Sequence, residues 1–393
     1  MLNLLFLKSL AIYTLFALIM YNISIKGKSI STSKKMPKQY IWCVLVFALI
    51  SGLRWDVGTD YLGYLQMYKD LRLGLELSRT DVEAGFTLIT KAFGILHLHY
   101  SLYFAFWAFL QCFFIVKSVF DEKYKVVPYI MLLIPLSSHY ISLMNGLRQM
   151  VVACSFIWAT QFIINREFKK YALWVFVCSF IHQSVWILLP VYFLNRAKGK
   201  WNNSVAQFSI LFICILLGNV PSWITLMSNV SGLLDFLGYE KFSSQMDYLV
   251  SSEAMNDYNW GPRMLSTLAV YSIIILFNDR AKRFLDSQRF NLFYKIFFIG
   301  ICLSFLFCNT SIFNRPVDYL ILFSLPVCGY TLYYFKETKR TDLFYLLIFC
   351  SAFYVIVSCF TESRMPEDMR NSYLYQFCFS HWDIINNPIV RPH

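Results

Sequence analysis

Residues 39–68 read Gln-Tyr-Ile-Trp-Cys-Val-Leu-Val-Phe-Ala-Leu-Ile-Ser-Gly-Leu-Arg-Trp-Asp-Val-Gly-Thr-Asp-Tyr-Leu-Gly-Tyr-Leu-Gln-Met-Tyr. An apolar run ends at Leu53 and gives way at once to Arg54, Asp56 and Asp60, set among glycines and tyrosines. Such a run suits a helix in hydrocarbon, and the charges mark where it leaves the bilayer. The rest of the chain repeats the pattern. Of its 393 residues, 58% are hydrophobic and 15% charged. The apolar runs are continuous rather than alternating, which excludes a barrel. The fold class is therefore all-α: a polytopic helical membrane bundle forming a single domain over residues 1–393.

Ten runs are long enough to be spans: 5–25, 39–53, 100–116, 126–142, 148–165, 204–220, 263–279, 290–308, 316–335 and 343–360. The first has no small-residue cleavage site and is kept as a span. Two further stretches bring the range to 10–12. Residues 84–98 carry Lys91 and His97 and read as re-entrant or interfacial. Residues 171–194 have basic flanks on both sides and His182 at their midpoint. A broken hairpin with both ends in the cytoplasm satisfies the positive-inside rule. Each limb of about 12 residues reaches ~18 Å, past the midplane but not across.

The inner loops then hold 21 of the 35 basic residues, 15 of them lysine, and both termini face outward. The net charge of +12 needs no nucleic-acid partner. The outer segments include 54–99, a large loop at 221–262 and the tail 361–393. Their basic residues are mostly arginine: Arg54, Arg72, Arg79, Arg148, Arg263, Arg315, Arg364, Arg370 and Arg391. Arginine suits bidentate contact with phosphate or carboxylate.

Three of these arginines open helices. Asn145 reads as an N-cap ahead of Arg148, Pro262 as a first helical residue ahead of Arg263, and Asn314-Arg315-Pro316 as a third start. Free N–H groups at a helix start attract anions. Arg54, Arg148, Arg263 and Arg315 together form a candidate diphosphate site. The bland reading is headgroup contact or pairing with loop acids.

Other candidates keep two readings. Asp60 orients a hydroxyl or acts as a base, or else caps the helix that follows. Tyr61, Tyr64 and Tyr68 share one helical face, which fits a sugar platform or an interfacial belt. His182-Gln183-Ser184 is a functional cluster, or a histidine satisfying a helix break. The eleven cysteines form no CxxC pair and read as core residues. No metal-ligand spacing or nucleotide fingerprint occurs, so no metal and no cofactor is expected.

Arg54 with Gly58-Thr59-Asp60-Tyr61 and Tyr64, Glu83-Ala84-Gly85-Phe86, Arg148-Gln149, His182-Gln183-Ser184 and Arg315 follow one another in the order found in a known family. In this the chain resembles the EpsG-like membrane polysaccharide polymerases, related in role to Wzy O-antigen polymerases. The resemblance implies a GT-C-like bundle in a bacterial inner membrane with its site facing the periplasm. It implies undecaprenyl-diphosphate-linked oligosaccharides as substrates and a chain-length regulator protein as partner. Arg54, Asp60, Arg148 and His182 would be catalytic. Glu83, Gln149, Tyr61, Tyr64, Arg263 and Arg315 would bind diphosphate or glycan. An O-antigen ligase and a lipid-linked oligosaccharide flippase are the competing expectations.

Overall fold

The computed structural model describes residues 4–27, 35–75, 82–196, 203–220, 260–308, 311–366 and 373–382, without the side chains of 195–196 and 311–315. The expected loop at 221–262 lies outside the described residues except for its last three. The chain begins with α1 (Leu4–Ile25) and α2 (Lys38–Gly52), then the short strand β1 (Arg54–Trp55). Next come α3 (Tyr61–Arg72), α4 (Ala84–Ile95), α5 (Tyr100–Val119), α6 (Val127–Leu133), α7 (Ser138–Asn145), α8 (Leu147–Ile164) and α9 (Phe168–Ser179). A 3-10 limb, Gln183–Arg196, precedes α10 (Ser204–Gly218). Then follow α11 (Pro262–Leu285), α12 (Gln288–Leu306), α13 (Ser311–Ile321), α14 (Ser324–Glu337) and α15 (Thr341–Ser363). The strand β2 (Gln376–Phe377) and one 3-10 turn close the described chain.

The molecule is a multi-pass helical membrane bundle. Among the described residues, six helices are long and apolar enough to cross a bilayer: α1, α5, α8, α11, α12 and α15. Two expected spans are broken. The run 126–142 bends by 79° between α6 and α7. Pro135 sits in that turn, and its ring and missing N–H disfavour a continuous helix. The run 316–335 divides into α13 and α14 at residues 322–323. The expected loop 280–289 is also largely helical. α11 continues to Leu285, which puts Lys282 and Arg283 in its last turn. Basic residues there complement the negative end of the helix dipole.

Residues 171–194 form the expected broken hairpin. α9 has 12 residues and ends at Ser179, and the 3-10 limb doubles back along it. The Tyr171 hydroxyl donates to the Leu188 carbonyl at 2.7 Å, and the Phe168 ring meets Tyr192 at 5.0 Å. The start of one limb is thus against the end of the other. Residues 84–98 contain α4, whose 12 residues are too short to cross.

Aromatic and branched side chains of α2, α5, α8, α12 and α14 contribute much of the core. At the end of the bundle that bears residues 54–60, the C-terminal segment returns as a strap. Arg54 and Trp55 pair antiparallel with Phe377 and Gln376. The Cys378 N–H donates to the Leu53 carbonyl at 2.8 Å, and His381 stacks on Trp55 at 4.0 Å. Glu362 accepts the N–H groups of Tyr373 and Leu374, anchoring the strap to α15.

Candidate active site

The turn after α2 sets the first wall. Gly58 has φ +99°, and a Cβ there would meet the Met144 carbonyl oxygen at 3.0 Å. The turn therefore lies directly on the end of α7. Asn145 clamps it: its Oδ1 accepts from the Thr59 hydroxyl at 2.7 Å and from the Asp60 N–H at 2.8 Å. Asn145 is consequently the last residue of α7, not the N-cap of α8. That place belongs to Gly146.

Glu83 joins the other two walls. It sits at the N-cap position of α4, but its side chain reaches away from the helix. Its Oε2 meets Arg148 Nη1 on α8. Its Oε1 accepts from His182 Nδ1 at 2.9 Å and from the Gln183 N–H at 3.0 Å. Phe86, one turn along α4, backs the guanidinium at 5.6 Å and stacks on Trp107. Gly85 lets the hairpin tip approach. Its N–H donates to the Phe180 carbonyl at 2.9 Å, and a Cβ there would meet that oxygen at 2.6 Å. The tetrad Glu83-Ala84-Gly85-Phe86 is thus one device holding Arg148 and His182 in place. We expect Gly85→Ala to push the tip away. Assayed product formation should drop several-fold while membrane insertion is unchanged; full activity would refute the close approach.

Burial alone would raise the Glu83 carboxyl above its ordinary 4.5. The hydrogen bonds from His182 and Gln183, then the charge of Arg148, outweigh it and hold the group at about 2. A carboxyl lowered by folding stabilises the fold above its unfolded value near ~4.3, and that contribution fades as pH falls towards the folded value. Glu83 is therefore ionised throughout pH 5–8 and acts only as an acceptor. Thermal stability of the purified protein should decline between about pH 4 and pH 2, and Glu83→Gln should weaken that decline. An identical acid transition in both proteins would contradict this.

Arg148 and His182 border a polar cavity of about 520 Å³, together with Thr59, Asp60, Tyr64, Asn145, Gln149 and Asp318. Of the arginine quartet, Arg148 alone lines it among the described side chains. Arg54 is fully buried. Its guanidinium donates to the carbonyls of Ser51 at 2.5 Å, Val57 at 3.2 Å and Met144 at 3.3 Å, and lies over Phe104. It braces the cavity wall from behind and is no phosphate ligand in this arrangement. Arg263 is exposed at the start of α11, which Gly261 and Pro262 open as expected, and it does not line the cavity. Arg315 stands inside α13, which starts at Ser311, so it opens no helix; its side chain is outside the described set.

The tyrosine face also turns inward. Tyr61 stacks on Phe104 at 4.5 Å and donates to the Arg54 carbonyl. Tyr68 stacks on Tyr103 at 5.1 Å. Both pack on α5, as neither sugar platform nor interfacial belt, and only Tyr64 reaches the cavity. Asp60 occupies the N-cap position of α3 but makes no capping bond with its side chain, which borders the cavity instead. Asp318 is a wall residue that sequence reasoning passed over. An acid inside an apolar run was the available signal.

The fold is that of a multi-pass membrane protein, and Glu83 brings Arg148 and His182 together at one polar cavity. The EpsG family model matches residues 38–377, and the chain belongs to the EpsG family. That family is associated with membrane glycosyltransferase-type polymerases. No curated protein and no solved structure matches the chain.

Proposed function

We propose that the chain is a polysaccharide polymerase working at the outer face of a bacterial inner membrane. It would transfer a growing glycan from a polyprenyl diphosphate to a lipid-linked repeat unit. One observation carries this reading: a single ionised Glu83 holds Arg148 and His182 at the wall of one polar cavity, in a chain of this family. Because Glu83 only accepts, the His182 Nδ1 carries the proton of their bond. An imidazole donating through Nδ1 offers its lone pair at Nε2 when neutral.

In the proposed reaction an acceptor hydroxyl oxygen attacks the anomeric carbon of the donor sugar. Its proton passes to His182 Nε2. The bond from that carbon to the diphosphate oxygen breaks, and the electron pair leaves with the diphosphate. Arg148 stabilises the charge growing there. A guanidinium has five N–H donors, and its contact with Glu83 runs through Nη1. Asp60, Asp318 and Gln149 orient sugar hydroxyls.

Deleting the gene should collapse a surface-polysaccharide ladder to single repeats; an unchanged ladder would sink the reading. Loss of a ligase would instead leave long chains unattached on the lipid carrier, and a flippase would move lipid-linked repeats without lengthening them. Purified protein that elongates such repeats separates the three.

A further inference from the structure

An apolar cleft of about 400 Å³ lies beside the polar cavity. It is lined by Ile187, Val191 and Leu194 of the 3-10 limb, Ile299 and Leu303 of α12, and Leu320 of α13. α13 borders both spaces, and the 3-10 limb that lines the cleft begins one residue after His182, which lines the cavity. His182 faces the cavity and Ile187, five residues on, faces the cleft. On α13, Asp318 faces the cavity and Leu320 the cleft. Between the two runs one hydrogen bond, Ser184 Oγ to Tyr319 Oη at 2.9 Å, which pins limb to helix.

The cleft has the length of a segment of lipid chain. Seven residues of 3-10 limb separate Ile187 from Leu194, about 14 Å at ~2.0 Å each. Along α12, eleven residues separate Ile296 from Phe307, about 16 Å at ~1.5 Å each. Both values are close to half of a ~30 Å hydrocarbon core. The cavity end of the limb is fixed by the Gln183–Glu83 bond. The far end of α12 is fixed by Arg289, which pairs with Asp121 and Glu122 beyond the C-terminus of α5. The cleft therefore begins next to the polar cavity and extends away from it for a length close to the thickness of one leaflet.

We infer that this cleft binds the isoprenoid chain of the donor, next to its diphosphate, while the diphosphate and sugar occupy the polar cavity. The inference rests on the polymerase reading, but it adds a definite place for the lipid. An amphiphile with a large polar head is the occupant that fills both spaces at once.

The test uses the full chain in nanodiscs and a diazirine-tagged polyprenyl diphosphate. Photo-adducts should map to 187–194 and 296–307. Untagged polyprenyl diphosphate should suppress them, and added phosphatidylglycerol should not. Val191→Trp and Leu303→Trp should cut adduct yield several-fold and raise KM for the lipid-linked donor more than they lower kcat. Adducts elsewhere, or equal competition by phosphatidylglycerol, would overturn the inference. If the tryptophan variants misfold, the wild-type adduct map and its competition decide alone. Adducts in the cleft of a protein that elongates no glycan would uphold the cleft and refute the polymerase; elongation with adducts elsewhere would do the reverse.

Discussion

Arg148→Ala is expected to abolish polymer while leaving normal amounts of folded protein in the membrane. Arg148 is the one arginine of the expected quartet that lines the polar cavity with a described side chain. Its position is set by Glu83 on one side and by the Phe86 ring on the other. Removing a fixed cationic donor from developing charge in a low-dielectric site typically lowers the rate ~10²–10³-fold. Arg148→Lys should recover little, because an ammonium cannot serve Glu83 and a substrate oxygen with one planar group. Glu83→Gln keeps the shape but removes the charge that orders both Arg148 and His182, so its loss should approach that of Arg148→Ala. The double variant should be no worse than the worse single one, since residues acting as a unit are not additive. Elongation of lipid-linked repeats by purified protein measures all four variants; substantial activity in Arg148→Ala would remove the site.

Arg54→Ala should fail differently, by loss of the folded protein. Its guanidinium satisfies three carbonyls in the interior, on the 51–57 turn and at the end of α7. Alanine leaves those acceptors buried, at about 1–3 kcal/mol for each one unmet. It also opens a cavity beneath Phe104 and Tyr61. The sum is a large share of a typical fold stability of ~5–15 kcal/mol. Arg54→Lys should rescue poorly, because one ammonium cannot reach three diverging oxygens. Monodispersity and thermal unfolding in detergent give the readout. A stable, monodisperse but inactive Arg54→Ala would restore Arg54 to the catalytic group.

The contrast between these arginines shows what the sequence makes legible. Long apolar runs locate helices because the bilayer demands them, so the ends of α1, α5, α8, α12 and α15 lie close to the expected ones. Breaks are harder. Hydropathy treats 126–142 as one run, although Pro135 and Ser137-Ser138 were there to be read. The broken hairpin was legible because charge on both flanks constrains where the chain goes. The site was half legible. His182 stood out as a polar residue in a costly place, Arg148 as a helix-opening arginine and Glu83 through the family resemblance, but their mutual bonds span 65 and 99 residues of sequence. Arg54 at a membrane boundary reads as a ligand because nothing in a linear chain shows three carbonyls closing around it. The tyrosine face has a helical period, and a period identifies a face without saying what lies opposite.

The strap gives the molecule a late step in its biogenesis. The Tyr13 hydroxyl donates to the Tyr373 carbonyl across 360 residues of chain, and β1 finds its sheet partner among the described residues at 376–377. During synthesis, the segment bearing Arg54 and Asp60 emerges early and stays without its second strand until the last helix has been inserted. Nascent chains halted before residue 373 would carry every side chain of the polar cavity and still lack the strand that ties down one of its walls.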